Sequence, residues 1–190
     1  METSFYSEKQ LKRLGLKEYG HQVLISRKAS FYAPKNISVG NHVRIDDFCI
    51  LSGKIQIGSY VHISAGTALY GQFGIFIHDY AGLSPHCAVF SASDDFSGEY
   101  LIGPTINQKY RHLVGGPVII SRFAQIGAGC TILPNVIINE GVVVGSMSLI
   151  KKSLEGWSVY AGIPAKFLKT RSKKILELIN LANDDLFYLH

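Results

Sequence analysis

The sequence predicts an all-β fold, a parallel β-helix in which three short strands close each triangular coil. The first observation is an aliphatic residue at every sixth position, in the runs Val39, Ile45, Leu51, Ile57, Ile63 and Leu69; Ile77, Leu83 and Val89; and Ile120, Ile126, Ile132, Ile138, Val144 and Ile150. The second is a glycine directly after several of these residues, at positions 40, 58, 127 and 145. This period fits neither an α-helix nor an ordinary strand, but it fits short strands joined by tight turns.

The length of the repeat sets the size of the predicted β-helix. Roughly seventeen hexads give five or six coils, and coils about 4.8 Å apart build a prism about 25–30 Å long. Each coil is stable only against its neighbours. The periodicity does not determine the handedness of the helix, and general rules favour right-handed crossovers.

A second position of the hexad, four residues after the aliphatic one, usually carries a small or β-branched residue. These residues are Val43, Cys49, Ile55, Val61, Thr67, Ala81, Cys87, Ala124, Cys130, Val136, Val142 and Ser148. All three cysteines of the chain occupy this position, so we expect them to fill the core rather than act as nucleophiles. Their odd number and wide spacing fit reduced thiols better than a disulfide framework.

Short helices are predicted at both ends of the prism. The residues from Ser7 to Gln10 match a capping box, which predicts the start of a helix, and Gly15 can end that helix. Residues from about Arg171 to Ala182 read as an amphipathic helix. We therefore divide the chain into a helical cap at 1–20, the β-helix at 21–168 and a C-terminal helix at 169–190.

The hexads are interrupted between Val89 and Ile120. Regular coils need no such segment, so we predict an extruded loop at about residues 91–117. Loops of this length in compact domains are usually functional or mobile.

The composition excludes several classes of protein. Hydrophobic residues make up 47% of the 190 residues and charged residues 17%, which argues against disorder. We find no signal sequence and no apolar run long enough to span a bilayer, so we expect a cytoplasmic protein without stable membrane insertion. The net charge is +5, but no nucleic-acid-binding motif accompanies it, so nucleic acid is not an expected partner.

The hexads and the extruded loop occur together with the ending YAGIPAK at residues 160–166. In this combination the chain resembles the hexapeptide-repeat acyltransferases over roughly residues 20 to 170. The resemblance lies toward the galactoside and maltose acetyltransferases. Within that branch the chain is similar to bacterial acetyltransferases of surface polysaccharide (lipopolysaccharide O-antigen) synthesis, including those acting on dTDP-linked amino sugars such as dTDP-viosamine.

The resemblance implies a left-handed β-helix and a homotrimer that binds acetyl-CoA in a groove between adjacent subunits. The positions matching the family's cofactor contacts are Ala128, Ser146, Lys151, Lys152, Lys166 and Lys169. Small residues would let the pantetheine arm approach the backbone, and lysines can pair with the phosphates of the cofactor. Ordinary surface lysines at 151 and 152 are the alternative.

The resemblance also implies a base position in the loop. Related galactoside enzymes use a loop histidine as general base, and the matching position here is Asp94, followed by Asp95. A carboxylate of ordinary pKa is a poor base for a sugar hydroxyl, whereas an amine needs only to be oriented and relieved of a proton. We therefore expect an amino-sugar acceptor linked to a nucleotide, with Asp94 and Asp95 as catalytic candidates.

Other outward-facing residues are candidates for the acceptor site. His62 precedes a core aliphatic residue and should point outward, which makes it a third catalytic candidate. His112 ends the loop, and Asp47 follows Asp46, so we take His112 and Asp47 as substrate-binding candidates. Asp46 and Asp47 could instead pair with Arg44.

Three alternative functions remain open from the sequence. The same chemistry on a sugar hydroxyl would make the protein an O-acetyltransferase, with His62, His86 or His112 as the base. A carbonic anhydrase of the same prism type would need three converging histidines on zinc, and the spacing of His62 and His78 disfavours this within one chain, so no metal is expected. The last alternative is a non-catalytic assembly scaffold, against which the loop and the Lys166 region argue.

Overall fold

The computed structural model describes residues 4–181, and they form a parallel β-solenoid with three faces. The strands of the first face are β2 (Leu24–Ile25), β5 (Arg44–Ile45), β7 (His62–Ile63), β9 (Gly82–Leu83), β14 (Gln125–Ile126), β17 (Val143–Val144) and β19 (Ser158–Ala161). Those of the second face are β3 (Ser30–Tyr32), β10 (Ala88–Phe90), β15 (Thr131–Ile132) and β18 (Leu149–Ile150), and those of the third are β1 (Glu18–Tyr19), β4 (Ile37–Val39), β13 (Val118–Ile120) and β16 (Ile137–Ile138).

Two long strands join the second and third faces. β6 (Ile50–Ile57) and β8 (Ala68–Ile77) continue around the corner between these faces, so that the two faces form one ten-stranded sheet. Neighbouring strands within each face are parallel and belong to successive coils. This architecture confirms the predicted β-helix and is consistent with the left-handed form that the family resemblance implies.

The register places equivalent hexad positions directly above one another. On the first face Ile45 pairs with Ile63, which pairs with Leu83, and the stack continues through Ile126 and Val144. These side chains are 0–1% exposed. Each buried aliphatic side chain of this kind contributes about 1.5–3 kcal/mol, so the column of hexad residues is the main source of stability.

The three cysteines lie in the same core, as predicted. Cys49, Cys87 and Cys130 are free and buried. Each thiol lies within 3.2 Å of a backbone carbonyl oxygen, and burial raises the pKa of the Cys49 and Cys87 thiols to about 11. They are neutral at physiological pH, which is unsuited to nucleophilic catalysis.

An aromatic column runs along the edge between the third and first faces. Its rings belong to residues with positive φ at the turn of each coil, His42, Tyr60, Tyr80, Phe123 and Trp157. Successive ring centroids are 4.6, 4.9, 5.3 and 6.3 Å apart. Stacking of this kind is worth about 0.5–1.5 kcal/mol per pair, which offsets the cost of the left-handed turns. Trp157 is the last ring of this column.

The N-terminal helix agrees with its sequence signals. α1 spans Glu8–Leu14, the N–H of Ser7 donates to Oε1 of Gln10 at 2.8 Å, and Gly15 has a φ of 73°. Leu11 packs in the core. The first coil starts inside the predicted cap, because β1 (Glu18–Tyr19) already pairs with β4.

The C-terminal end differs from the prediction. β20 (Lys166–Thr170) returns antiparallel on β19, a strand that the sequence reasoning did not predict. Its end is fixed by Arg171, whose guanidinium donates to the carbonyl oxygens of Phe123 and Gly141 at 2.8 and 3.0 Å. α2 spans Ile175–Leu181 and thus begins four residues later than predicted, while residues 182–190 of the predicted helix lie outside the described residues.

The predicted extruded loop is present. It leaves the prism after β10, returns at β13 and contains two antiparallel strands, β11 (Ala92–Asp94) and β12 (Leu113–Gly115), with a 3₁₀ turn at Gln108–Tyr110. A second 3₁₀ turn spans Pro34–Asn36. None of the helices within residues 4–181 is long and apolar enough to cross a membrane.

Candidate active site

Asp94 lies where the loop leaves the prism. It is the last residue of β11 and pairs with Leu113 of β12. Its Oδ1 accepts a hydrogen bond from Nη2 of Arg111 at 3.0 Å, and the two side chains are 22% and 14% exposed. The loop thus presents a carboxylate whose position is fixed by a mostly buried cation.

A cavity of about 480 Å³ opens beside this pair. Its polar lining comes from Gln72, Ser93, Asp94 and Arg111, and its apolar lining includes Phe90, Phe96, Leu113 and Leu133. A few converging polar groups in an otherwise apolar cleft of this volume are typical of a small-molecule site. The cavity has the size and polarity for a hexose ring.

The two other loop candidates point elsewhere. Asp95 accepts the backbone N–H of Ser97 at 2.7 Å, and this contact holds the pKa of the Asp95 carboxyl below its usual value. The N–H of Asp95 donates to the carbonyl oxygen of His112 at 3.0 Å, while the imidazole of His112 packs on Tyr100. Among the described residues, the cavity lining includes Asp94 but neither Asp95 nor His112. The structure therefore assigns Asp95 and His112 contacts within the loop.

His62 belongs to a second polar cluster, on the outer side of the first face. Its Nε2 lies 2.7 Å from Oδ2 of Asp46, and Nε of Arg44 lies 2.7 Å from Oδ1 of the same carboxylate. The predicted outward orientation of His62 is confirmed, since its side chain is 50% exposed. The pairing of Asp46 with Arg44 was predicted from the sequence as an alternative, and the structure shows this pairing. The contact of Asp46 with His62 was not predicted.

Asp47 is engaged by its own neighbours. Nζ of Lys28 lies 2.8 Å from Oδ2, and the hydroxyl of Ser26 donates to Oδ1. The hydrogen bond from Lys28, and to a smaller extent the one from Ser26, holds the pKa of the Asp47 carboxyl below its usual value. Asp47 therefore pairs with Lys28 and not with Arg44.

The predicted cofactor positions lie in the last coils. Ala128 and Ser146 occupy the same turn position on successive coils, between the first and second faces, and the N–H of Met147 donates to the carbonyl oxygen of Ala128 at 2.8 Å. A Cβ added at Gly127 would come within 2.5 Å of the backbone nitrogen of Ser146. This edge is thus tightly packed backbone with little side chain, which suits the approach of a thin ligand.

The four lysines divide into two pairs. Lys166 and Lys169 are exposed on β20, beside the end of the first face. Lys151 and Lys152 follow β18 and line a small cavity of about 160 Å³ with Pro164 and Ala165. Lys166 directly follows Ala165, so it lies next to this cavity.

The Ala128 edge and Asp94 lie at different corners of one prism. Ala128 precedes the second face, whereas the loop leaves after it, beside Leu133 of the next coil. Between Ala128 and Leu133 the chain passes through a turn and then β15. Ala128 and the Asp94 loop are thus separated by the width of the second face.

Sequence reasoning missed several residues of this region. Arg111 and Gln72 join Asp94 at the cavity only through the pairing of β11 with β12 and the packing of β11 on β8, whereas Ser93 directly precedes Asp94. No motif marks them. Within residues 4–181 there is no group of three or more His, Cys, Asp or Glu side chains that could hold a metal ion.

The sequence is similar to those of bacterial acyltransferases. The family described as "Bacterial transferase hexapeptide (six repeats)" matches residues 117–152. The chain is 42% identical to an Escherichia coli protein named dTDP-4-amino-4,6-dideoxy-D-glucose acyltransferase, over 92% of this chain and 93% of that protein. It is 32% identical to WbbJ of E. coli K12, a putative lipopolysaccharide biosynthesis O-acetyl transferase, over 71% of this chain and 69% of WbbJ.

Among solved structures, AntD is very similar. AntD is an N-acyltransferase from Bacillus cereus, and its complex with dTDP and 3-hydroxybutyryl-CoA superposes with a TM-score of 0.94 at 51% identity, covering 97% of this chain and 99% of AntD. Other AntD structures hold dTDP-4-amino-4,6-dideoxyglucose and coenzyme A in an S84A variant, or dTDP and coenzyme A in a D94N variant.

Proposed function

Because the chain belongs to the bacterial hexapeptide-repeat acyltransferases, we propose that it transfers an acetyl group from acetyl-CoA to the amine of a dTDP-linked amino sugar. The observation that carries this proposal is the carboxylate of Asp94, held by Arg111 at the wall of a sugar-sized cavity. A fixed carboxylate is suited to orienting an amine.

The relatives support the choice of acceptor. The E. coli relative is named for a dTDP-linked 4-amino sugar, and AntD binds one. AntD variants replaced an aspartate at its residue 94 and a serine at its residue 84, and this chain also has Asp94 and Ser84. Ser84 follows Leu83, which pairs with Ile126, so Ser84 lies one coil from Gly127 on the cofactor edge.

The proposed reaction needs no covalent enzyme intermediate. The neutral amine attacks the thioester carbon, the new C–N bond forms, and the C–S bond breaks as the coenzyme A thiolate leaves. The amine loses one proton, which Asp94 collects and passes to solvent or to the leaving thiolate. The oxyanion that forms on the way can be stabilised by a backbone N–H group.

We propose that the working enzyme is a homotrimer. The Ala128 edge and the Asp94 loop lie at different corners of one prism, which favours a site in which donor and acceptor meet between neighbouring prisms. A neighbouring subunit would supply the missing half of each site. An outward apolar column on the third face, made of Phe76, Ile119 and Ile137 in register on successive coils, is a suitable surface for such an interface.

A hydroxyl acceptor is the second candidate. His62 and Asp46 form a carboxylate–imidazole pair at 2.7 Å, which is the arrangement a general base for a hydroxyl requires. The relative WbbJ is named as a putative O-acetyl transferase. The first proposal includes a cytoplasmic enzyme whose product, a nucleotide-linked amino sugar, is used for surface polysaccharide.

The test is a thiol-release assay with purified enzyme. Acetyl-CoA and 3-hydroxybutyryl-CoA serve as donors, and a dTDP-linked 4-amino sugar, a UDP-linked amino sugar and a free galactoside serve as acceptors. We expect the highest kcat/KM for acetyl-CoA with the dTDP-linked amino sugar. Activity on the free galactoside alone would refute the proposed acceptor.

A further inference from the structure

Arg111 lies in the second half of the extruded loop, where the chain returns to the prism opposite Asp94. It lies two residues before β12, and Asp94 ends β11, so the antiparallel pairing brings the two side chains together from positions 17 residues apart. The contact joins Nη2 of Arg111 to Oδ1 of Asp94 at 3.0 Å. It leaves Oδ2 of Asp94 for another partner.

The guanidinium depends on this carboxylate. The Arg111 side chain is 14% exposed. Its Nε is buried without a hydrogen-bond partner within the part of the chain that the structure describes. A largely buried cation with so few acceptors is stable only against a nearby opposite charge. The pair is therefore a mutual constraint, in which Arg111 restricts the carboxylate and the carboxylate neutralises Arg111.

The contact with Arg111 also determines where the Asp94 carboxylate points. Both residues line the 480 Å³ cavity, whose remaining polar groups are Gln72 and Ser93. An unrestrained aspartate in a loop would sample several rotamers, whereas a planar guanidinium allows few geometries of its acceptor. Fixing Oδ1 on the buried side keeps the carboxylate within the cavity wall, where an acceptor amine can reach it.

We infer that Arg111 is a positioning residue, which fixes the Asp94 carboxylate so that the amine of the acceptor sugar is presented to the thioester. The inference rests on the proposed function. It assigns Arg111 an effect on the acceptor through Asp94, and it assigns Arg111 no contact with coenzyme A.

The test is a double-mutant cycle measured by thiol release with acetyl-CoA and a dTDP-linked 4-amino sugar. The variants are Arg111→Gln, Arg111→Lys, Asp94→Asn and the double variant Arg111→Gln/Asp94→Asn. Lys109→Gln is the matched control, since Lys109 is an exposed cation in the same loop, over the Tyr110 ring. Each variant is characterised by kcat, the KM for each substrate and its melting temperature.

We expect Arg111→Gln to lower kcat/KM for the acceptor about 100-fold, the usual cost of a misplaced reacting group, and to leave the KM for acetyl-CoA within about twofold. Arg111→Lys should recover part of the loss, because it keeps the charge but not the planar geometry. In the Asp94→Asn background, Arg111→Gln should add less than about a threefold loss. Lys109→Gln should match the wild type.

Independent, multiplicative losses for Arg111 and Asp94 would overturn the inference, as would wild-type kinetics for Arg111→Gln or an equal rise in the KM for acetyl-CoA. If Arg111→Gln fails to fold, Arg111→Lys replaces it in the double-mutant cycle. Additive losses of Arg111→Lys and Asp94→Asn would then overturn the inference, and non-additive losses would support it. If the wild type is active and the Arg111 variants have wild-type kinetics, the inference is refuted and the proposed function stands. A wild type that acetylates no nucleotide-linked amino sugar refutes the proposed function and the inference with it.

Discussion

The Nε2 atom of His62 lies 2.7 Å from Oδ2 of Asp46, across two neighbouring coils of the first face. A carboxylate only accepts hydrogen bonds, so Nε2 is the nitrogen that carries the proton in this contact. Nδ1 is then the nitrogen of the neutral ring that can accept one. The contact gives His62 the orientation of a general base, on a different part of the prism from Asp94.

We therefore expect His62→Gln to lower kcat about tenfold, less than the usual contribution of a proton-transfer residue, because the amine is oriented chiefly by Asp94. His78→Gln is the control, since His78 is also exposed and follows a core isoleucine. The kcat of each variant is measured by steady-state kinetics with the dTDP-linked amino sugar. Equal kcat values for His62→Gln and the wild type would remove His62 from the mechanism.

Asp94→Asn should lower kcat about 100-fold, within the range expected for a group that moves a proton. The amide oxygen can still accept from Arg111, but the largely buried guanidinium loses its neutralising charge, so we expect the melting temperature to fall by more than about 2 °C. Asp95→Asn is the matched neighbour, and it should lose less than about threefold because Asp95 contacts only the loop in the structure. A larger loss in Asp95→Asn than in Asp94→Asn would show that the two carboxylates have been assigned the wrong way round.

Lys166 and Lys169 should contribute to coenzyme A binding through its phosphates. We expect Lys166→Gln and Lys169→Gln each to raise the Kd of coenzyme A about tenfold, the usual worth of one charge-assisted hydrogen bond. Titration calorimetry at two salt concentrations measures this. Lys9→Gln, on the exposed surface of α1, serves as the control, and a Kd that is unchanged in all three variants would place the phosphates elsewhere.

The cysteines should be inert in the folded enzyme. Burial raises the pKa of Cys49 and Cys87 to about 11, so the thiols stay neutral below that pH, and the stability linked to them declines only as the pH rises from about 9 toward 11. We expect iodoacetamide at pH 7.5 to leave the native protein active and unmodified by mass spectrometry, and to modify all three cysteines after denaturation. Rapid native alkylation with loss of activity would instead point to a covalent mechanism.

The core of this fold could be predicted from the sequence because its contacts repeat. The hexad places Ile45, Ile63 and Leu83 at one position of successive coils, and the structure pairs them directly. The same register places His62 opposite Arg44, but it does not predict the contact of His62 with Asp46. The repeat alone does not show which outward side chains meet.

The loop and the C-terminal end could not be predicted in the same way. Arg111 reaches Asp94 through the pairing of β11 with β12, which no repeat specifies. β20 depends on a reversal of the chain after Gly162, with Lys166 brought back beside Ala161. Both features come from contacts that occur once, so the sequence offers no second example from which to recognise them.

The central claim is transfer to nitrogen, and its most direct test is the chemical bond in the product. Carbon-labelled acetyl-CoA is reacted with a dTDP-linked 4-amino sugar, and the product is analysed by NMR and treated with hydroxylamine. We predict an amide, with the labelled carbonyl coupled to the proton on nitrogen and no release by hydroxylamine. An ester on a sugar hydroxyl, cleaved by hydroxylamine and leaving a free amine, would contradict the account.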